Sequence, residues 1–146
     1  MPRHRPVEQY MNRYPVVVEP TTTLPDAHYL MRKHGVRRLP VVAQGKLVGI
    51  VTLTDVLHAE PSEAAALKAW ERDYLLGKTQ VRQIMAVPAR TVPAQATMAA
   101  AARLMLEHKI GGLPVVDADG TLVGILTESD VFRAVAGEWN EDEPPA

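Results

Sequence analysis

The stretch GIVTLTDV, residues 49–56, returns as GILTESDV at residues 124–131, with Gly, Thr and Asp in the same places. The likeness extends outward from that phrase. HGVRRLPVVAQGKLVGIVTLTDVL, residues 34–57, aligns with HKIGGLPVVDADGTLVGILTESDVF, residues 108–132, with Asp119 as one inserted residue and more than half of the positions identical. Upstream the match continues at a constant offset, pairing Val7 with Val81, Gln9 with Gln83, Met11 with Met85, Val18 with Val92, and Leu30-Met31 with Leu104-Met105. A repeat on this scale decides the fold before any single motif does. Residues 7–58 form one unit and 81–137 a second, joined by a helical connector over 59–80 and followed by an acidic tail, 138–146, expected to be disordered.

Each unit reads as β-α-β-β-α, an α+β fold. A short strand near Val16–Val18, or Thr91-Val92, precedes a helix over about 23–34, where Leu24, Ala27, His28, Leu30 and Met31 recur at helical spacing. Gly35 suits the left-handed residue that closes a helix; Lys109 stands at that place in the second copy, so that helix is expected to end differently. LPVV is a β-branched run suited to a buried strand, and Gln44-Gly45 or Ala118-Asp119-Gly120 turns it into a hairpin with LVGIV or LVGIL. The T-x-x-D phrase then opens a final helix. A unit of about 50 residues leaves an apolar sheet face open, so the two are expected to pack sheet to sheet about a pseudo-twofold axis. In the connector, Leu67, Trp70 and Tyr74 share one helical face and Gly77 marks a C-terminus.

Composition narrows the function classes. The 146-residue chain is 47% hydrophobic and 23% charged, ordinary for a globular protein with a real core. Its net charge of −1 supplies no field that recruits nucleic acid or an anionic membrane. It has no cysteine, hence no disulfide, thiolate nucleophile or Cys-ligated zinc. Apolar runs fall far short of the roughly 18 residues of a membrane span, and MPRHRPVEQY lacks the apolar centre of a signal peptide. A cytoplasmic protein is expected.

Thr52-Leu53-Thr54-Asp55 and Thr127-Glu128-Ser129-Asp130 fit a capping box, in which a hydroxyl and an acceptor three residues on satisfy free N–H groups at a helix start. No ligand is needed for that. The same chemistry pointed outward suits a nucleotide: a helix N-terminus seats phosphate, the hydroxyls of Thr52, Thr54, Thr127 and Ser129 add donors, and Asp55 or Asp130 can accept two hydrogen bonds from vicinal ribose hydroxyls. Both readings stand on the residues alone.

VEQYM and VRQIM at the unit starts, RRLPVV and GGLPVV, and the G-h-h-T-x-[ST]-D phrase, in order and twice, make nearly the whole chain resemble a tandem CBS pair, or Bateman module. The stand-alone size and the connector with Trp70 and Tyr74-Leu75-Leu76 are also similar to small bacterial CBS proteins of the acetoin-utilisation type. The resemblance implies a regulatory module that binds an adenosine-containing ligand, AMP, ADP, ATP or S-adenosylmethionine, in clefts between the motifs. It implies ribose contacts at Asp55 and Asp130, ribose or phosphate contacts at Thr52, Thr54, Thr127 and Ser129, and a cleft lined by Val36, Arg37 and Arg38 and by Ile110, Gly111 and Gly112. Base contacts fall near Val16 and Arg90. A homodimer and an unidentified regulated protein are the implied partners, with neither nucleic acid nor membrane. The copies differ, because Arg37-Arg38 offers two guanidinium forks where Gly111-Gly112 offers room and backbone N–H.

Catalysis has no constellation. His34 and His108 fall at helix C-termini, where a cationic ring complements the dipole; His28 and His58 have no zinc-site spacing, and no G-x-S-x-G, P-loop or G-x-G-x-x-G occurs. No catalytic or metal residue and no required cofactor is expected, a metal entering only with a bound triphosphate. The rival reading is a scaffold protein whose phrases are helix caps and which acts through CBS-mediated dimerisation.

Overall fold

The structure, a computed structural model, describes residues 2–59 and 68–142. It divides into two compact units, Val16–Ala89 and a second made of Met1–Pro15 with Arg90–Ala146. Each holds the body of one repeat.

In the unit Val16–Ala89, α1 spans Leu24–His34, β1 Arg38–Ala43, β2 Lys46–Thr52, α2 Leu53–Leu57 and α3 Ala69–Lys78. Thr23 caps α1, its hydroxyl accepting from the Asp26 N–H, and Leu24, Ala27 and Met31 face inward. Gly35 closes the helix at φ 64°, the left-handed conformation its sequence position requires. β1 and β2 form an antiparallel hairpin running from Arg38↔Thr52 to Ala43↔Lys46, with Gln44 (φ 52°) and Gly45 (φ 79°) at the turn; two positive φ values in a row match the strand twist. The expected first strand is reduced to one parallel bridge, Val18↔Val41. Pro15 and Pro20 bracket it, where the second copy has Ala89 and Ala94, and proline withholds the N–H that would extend the ladder. Val18, Leu24, Ala27, Met31, Leu39, Val41, Val51 and Val81 make the core.

The second unit repeats the plan with β3 Val92–Pro93, α4 Met98–His108, β4 Gly112–Val116, β5 Leu122–Thr127 and α5 Glu128–Asp142. β3 runs parallel to β4, which pairs antiparallel with β5. The Asp117 carboxylate accepts from the N–H groups of Asp119 and Thr121 (2.9 and 3.0 Å), accommodating the extra residue of this turn. The core gathers Val7, Met11, Val92, Met98, Ala101, Met105, Leu113, Val115, Leu126 and Ala134.

Val7 and Met11 in that list come from the other repeat's lead-in. Val7 N–H donates to the Ala96 carbonyl (2.8 Å), and Asn12 exchanges both backbone bonds with Ile125 (2.9 and 3.0 Å). The mirror arrangement holds in the first unit: Val81 N–H donates to the Thr22 carbonyl (2.8 Å) and Ala86 exchanges bonds with Ile50 (2.9 and 3.3 Å). Each repeat thus lends its opening segment to the body of the other. This exchange explains the glycine of the repeated phrase. A Cβ on Gly49 would lie 2.6 Å from Met85 Sδ and 3.0 Å from the Ala86 carbonyl; on Gly124 it would lie 2.6 Å from Met11 Sδ and 2.8 Å from the Asn12 carbonyl.

Three further expectations change. The second long helix ends as the first does: Lys109 adopts φ 55°, and Ile110 N–H donates to the Met105 carbonyl as Val36 N–H does to Met31. The helix termination needs a left-handed residue there, and a lysine accepts the steric cost. Residues 138–142 of the tail, expected to be disordered, belong to α5; the first proline, which would stop a helix, stands only at 144. The remaining tail, like residues 60–67 of the connector including Leu67, lies outside the described residues. In α3 the inward residue is Leu76, while Trp70 and Tyr74 are 67% and 57% exposed and Lys78 Nζ sits 4.4 Å from the Tyr74 ring centroid.

Candidate functional site

The hairpin register brings the residues before LPVV beside the T-x-x-D phrase in each unit. Arg38 pairs with Thr52, and the Leu53 N–H donates to the Arg37 carbonyl (2.8 Å). Likewise Gly112 pairs with Thr127, and the Glu128 N–H donates to the Gly111 carbonyl (3.0 Å). Val36, Arg37 and Arg38 are therefore gathered with Thr52, Thr54 and Asp55, and Ile110, Gly111 and Gly112 with Thr127, Ser129 and Asp130. Thr54, Ser129 and Arg37 are exposed; Val36, Arg38, Ile110 and Gly111 are half-buried and Gly112 is buried. Val16 packs against the core of its unit. Arg90 is drawn instead to the end of α4, where its guanidinium donates to His108 Nε2 at 3.2 Å. Arginine can only donate in such a contact, so Arg90 brings the positive charge to that helix end.

The two phrases are built differently in detail. In the first, the Thr52 hydroxyl accepts from the Asp55 N–H and Asp55 Oδ2 accepts from the Thr52 N–H, both at 3.1 Å, a complete capping box. Asp55 is half-buried, and its Oδ1 has no hydrogen-bond partner among the described residues. In the second, Asp130 Oδ2 accepts both the Thr127 N–H (2.8 Å) and the Thr127 hydroxyl (3.1 Å), while Oδ1 is ion-paired with Arg133 Nη2. The Thr127 hydroxyl has turned from acceptor to donor. Asp130 is only 8% exposed; Arg133, one helical turn on, is 71% exposed.

Chemically, the first phrase presents a fixed carboxylate with an open oxygen, two hydroxyls and a nearby exposed guanidinium. That set accepts hydrogen bonds from a diol and donates them to a phosphate. The second presents two hydroxyls beside a carboxylate already engaged by Arg133, with Gly111 and Gly112 where Arg37 and Arg38 stand. Reading the sequence missed Arg133, although an Asp and an Arg three residues apart on a helix are neighbours. It also missed Met11 and Met85 as the reason for Gly124 and Gly49. Among the described residues no group of three His, Cys, Asp or Glu side chains is placed to hold a metal ion, and no helix is long and apolar enough to cross a membrane.

Comparison with known proteins follows these lines. Residues 7–62 and 81–137 each match the CBS domain. A 125-residue stretch, 86% of the chain, is 37% identical to part of inosine-5′-monophosphate dehydrogenase from Korarchaeum cryptofilum. The chain spans 23% of that enzyme's length, and 47% and 43% of two Methanocaldococcus jannaschii relatives. Among solved structures, a protein assigned to acetoin utilization (AcuB) from Vibrio cholerae is 36% identical with a TM-score of 0.76, covering 96% of this chain and 98% of its own. CBSX2 of Arabidopsis thaliana, solved in complex with AMP, is 36% identical with a TM-score of 0.76 over 92% of this chain and 98% of its own. The CBS pair of protein MJ0100, solved with 5′-methylthioadenosine and S-adenosyl-L-methionine, is 28% identical with a TM-score of 0.73 over 91% and 97%. With both repeats matched over most of its length, the chain belongs to the CBS-domain family, as a tandem pair.

Proposed function

We propose that this chain is a regulatory sensor of adenosine-containing ligands, AMP, ADP, ATP or S-adenosylmethionine, and that it is not an enzyme. The observation that carries this reading is Asp55: the reciprocal cap with Thr52 fixes its carboxylate while leaving Oδ1 open. A carboxylate held in place loses little entropy when a ribose diol binds it. Thr52 and Thr54 supply hydroxyls, and Arg37 and Arg38 supply donors for phosphate. The relatives support the ligand class, since AMP, 5′-methylthioadenosine and S-adenosylmethionine share an adenosine portion with a ribose diol. Val36 and Val16, with Ile110, Gly111, Gly112 and Arg90 in the other copy, are assigned to the surroundings of ribose and base.

As a regulator the module changes state only by the difference in ligand affinity between two arrangements, passing it to a second copy or to a regulated protein. A second reading is favoured by one observation: the groups of the first phrase are already satisfied as a complete capping box, and the Asp130 carboxylate is already engaged by Thr127 and Arg133, as in a scaffold acting through dimerisation. A thermal-shift series with AMP, ADP, ATP, S-adenosylmethionine and GTP separates the two. A ligand at a hundred times its Kd adds about 2.7 kcal/mol, so the sensor reading predicts a shift with adenosine compounds and the scaffold reading predicts none.

A further inference from the structure

We infer that Arg133 is a latch on the second phrase that makes its carboxylate selective for phosphorylated adenosine ligands over adenosine itself. This inference rests on the sensor reading. A carboxylate offers about four lone-pair positions. On Asp130 two are taken by the Thr127 N–H and hydroxyl, and a third, on Oδ1, by Arg133. A diol needs two, so it can bond this carboxylate fully only if Arg133 withdraws. The side chain is free to do so: it is 71% exposed, and among the described residues its polar contact is the ion pair with Asp130.

Withdrawal leaves a guanidinium without its anion. A phosphate on the incoming ligand supplies a replacement, and guanidinium–phosphate bonds are charge-assisted. Adenosine supplies none. Asp55 has no such latch, because the position matching Arg133 holds His58, the exposed residue after the five-residue α2. Selectivity of this kind is therefore confined to the second phrase.

The test is calorimetric titration of AMP and adenosine into the full chain carrying Asp55→Ala, which silences the first phrase, with and without Arg133→Met. Arg133→Lys serves as a charge-retaining variant, and unliganded melting curves confirm that each protein is folded. Arg133→Met is expected to lower the AMP-to-adenosine affinity ratio about tenfold, by weakening AMP and strengthening adenosine together, with Arg133→Lys falling between. A ratio unchanged by Arg133→Met, with AMP still binding, overturns the latch and leaves the sensor reading intact. No binding of either ligand to the Asp55→Ala proteins while the unmutated chain binds AMP overturns the latch alone, and no binding to the unmutated chain overturns both.

Discussion

Asp55 and Asp130 occupy the same place in the same repeated phrase, yet one has an open oxygen and the other is enclosed and paired. The shared part is the bond from the N–H of the leading threonine to the carboxylate three residues on, one half of a capping box. The difference comes from the residue one turn on, Arg133 against His58, and from a helix that runs to Asp142 in one copy and stops at Leu57 in the other. The repeated phrase thus fixes the same backbone-to-carboxylate bond in both copies while its neighbours decide whether the remaining polar groups stay available. Function in a duplicated fold is set by those neighbours.

Substitutions probe this comparison, and the largest effect is expected where the copies agree. Gly124→Ala and Gly49→Ala each push a Cβ into the borrowed methionine and a backbone carbonyl, and overpacking of this kind costs about 1–3 kcal/mol in chemical denaturation. Similar losses in both would show that the exchange of lead-in segments is equally tight; a loss in one alone would break the symmetry at its structural root. Next come the carboxylates. Asp130→Ala removes three polar partners from a buried site and is expected to cost about 2 kcal/mol, against about 1 kcal/mol for the cap lost in Asp55→Ala. Equal costs would contradict the difference in engagement. The smallest effect concerns the helix ends. Lys109→Gly should stabilise the protein by about 0.5–1 kcal/mol by relieving a left-handed side chain, whereas Gly35→Ala should destabilise it by a similar amount.

Much of the architecture was legible in the sequence because it depends on local signals. Gly35 marks the end of α1 and Gln44-Gly45 the turn between β1 and β2, each through a conformation that few residues adopt. Lys109 was misread because the left-handed position follows from how the helix terminates, and the identity of the residue does not reveal it. The exchange of lead-in segments was invisible for another reason. It pairs Val7 with Ala96 and Val81 with Thr22, and the repeat makes either repeat's sheet an equally good partner on sequence grounds. At the candidate site, the grouping of Arg37-Arg38 with Thr52 and Asp55 was implied by the resemblance alone, and only the register Arg38↔Thr52 sets the arginines beside the first phrase. The state of each carboxylate depended on side-chain contacts such as Arg133 that no motif encodes.

The central claim is that a helix-capping phrase also holds a ribose. Isothermal titration of AMP into the unmutated chain and into Asp55→Ala, at a temperature where melting curves show both folded, tests it most directly. Saturable binding to the unmutated chain is expected, with affinity lower by about tenfold or more in the variant, as for the loss of charge-assisted hydrogen bonds. Unchanged affinity in a protein destabilised by the value of a lost cap would contradict it, and would leave Asp55 as a cap alone.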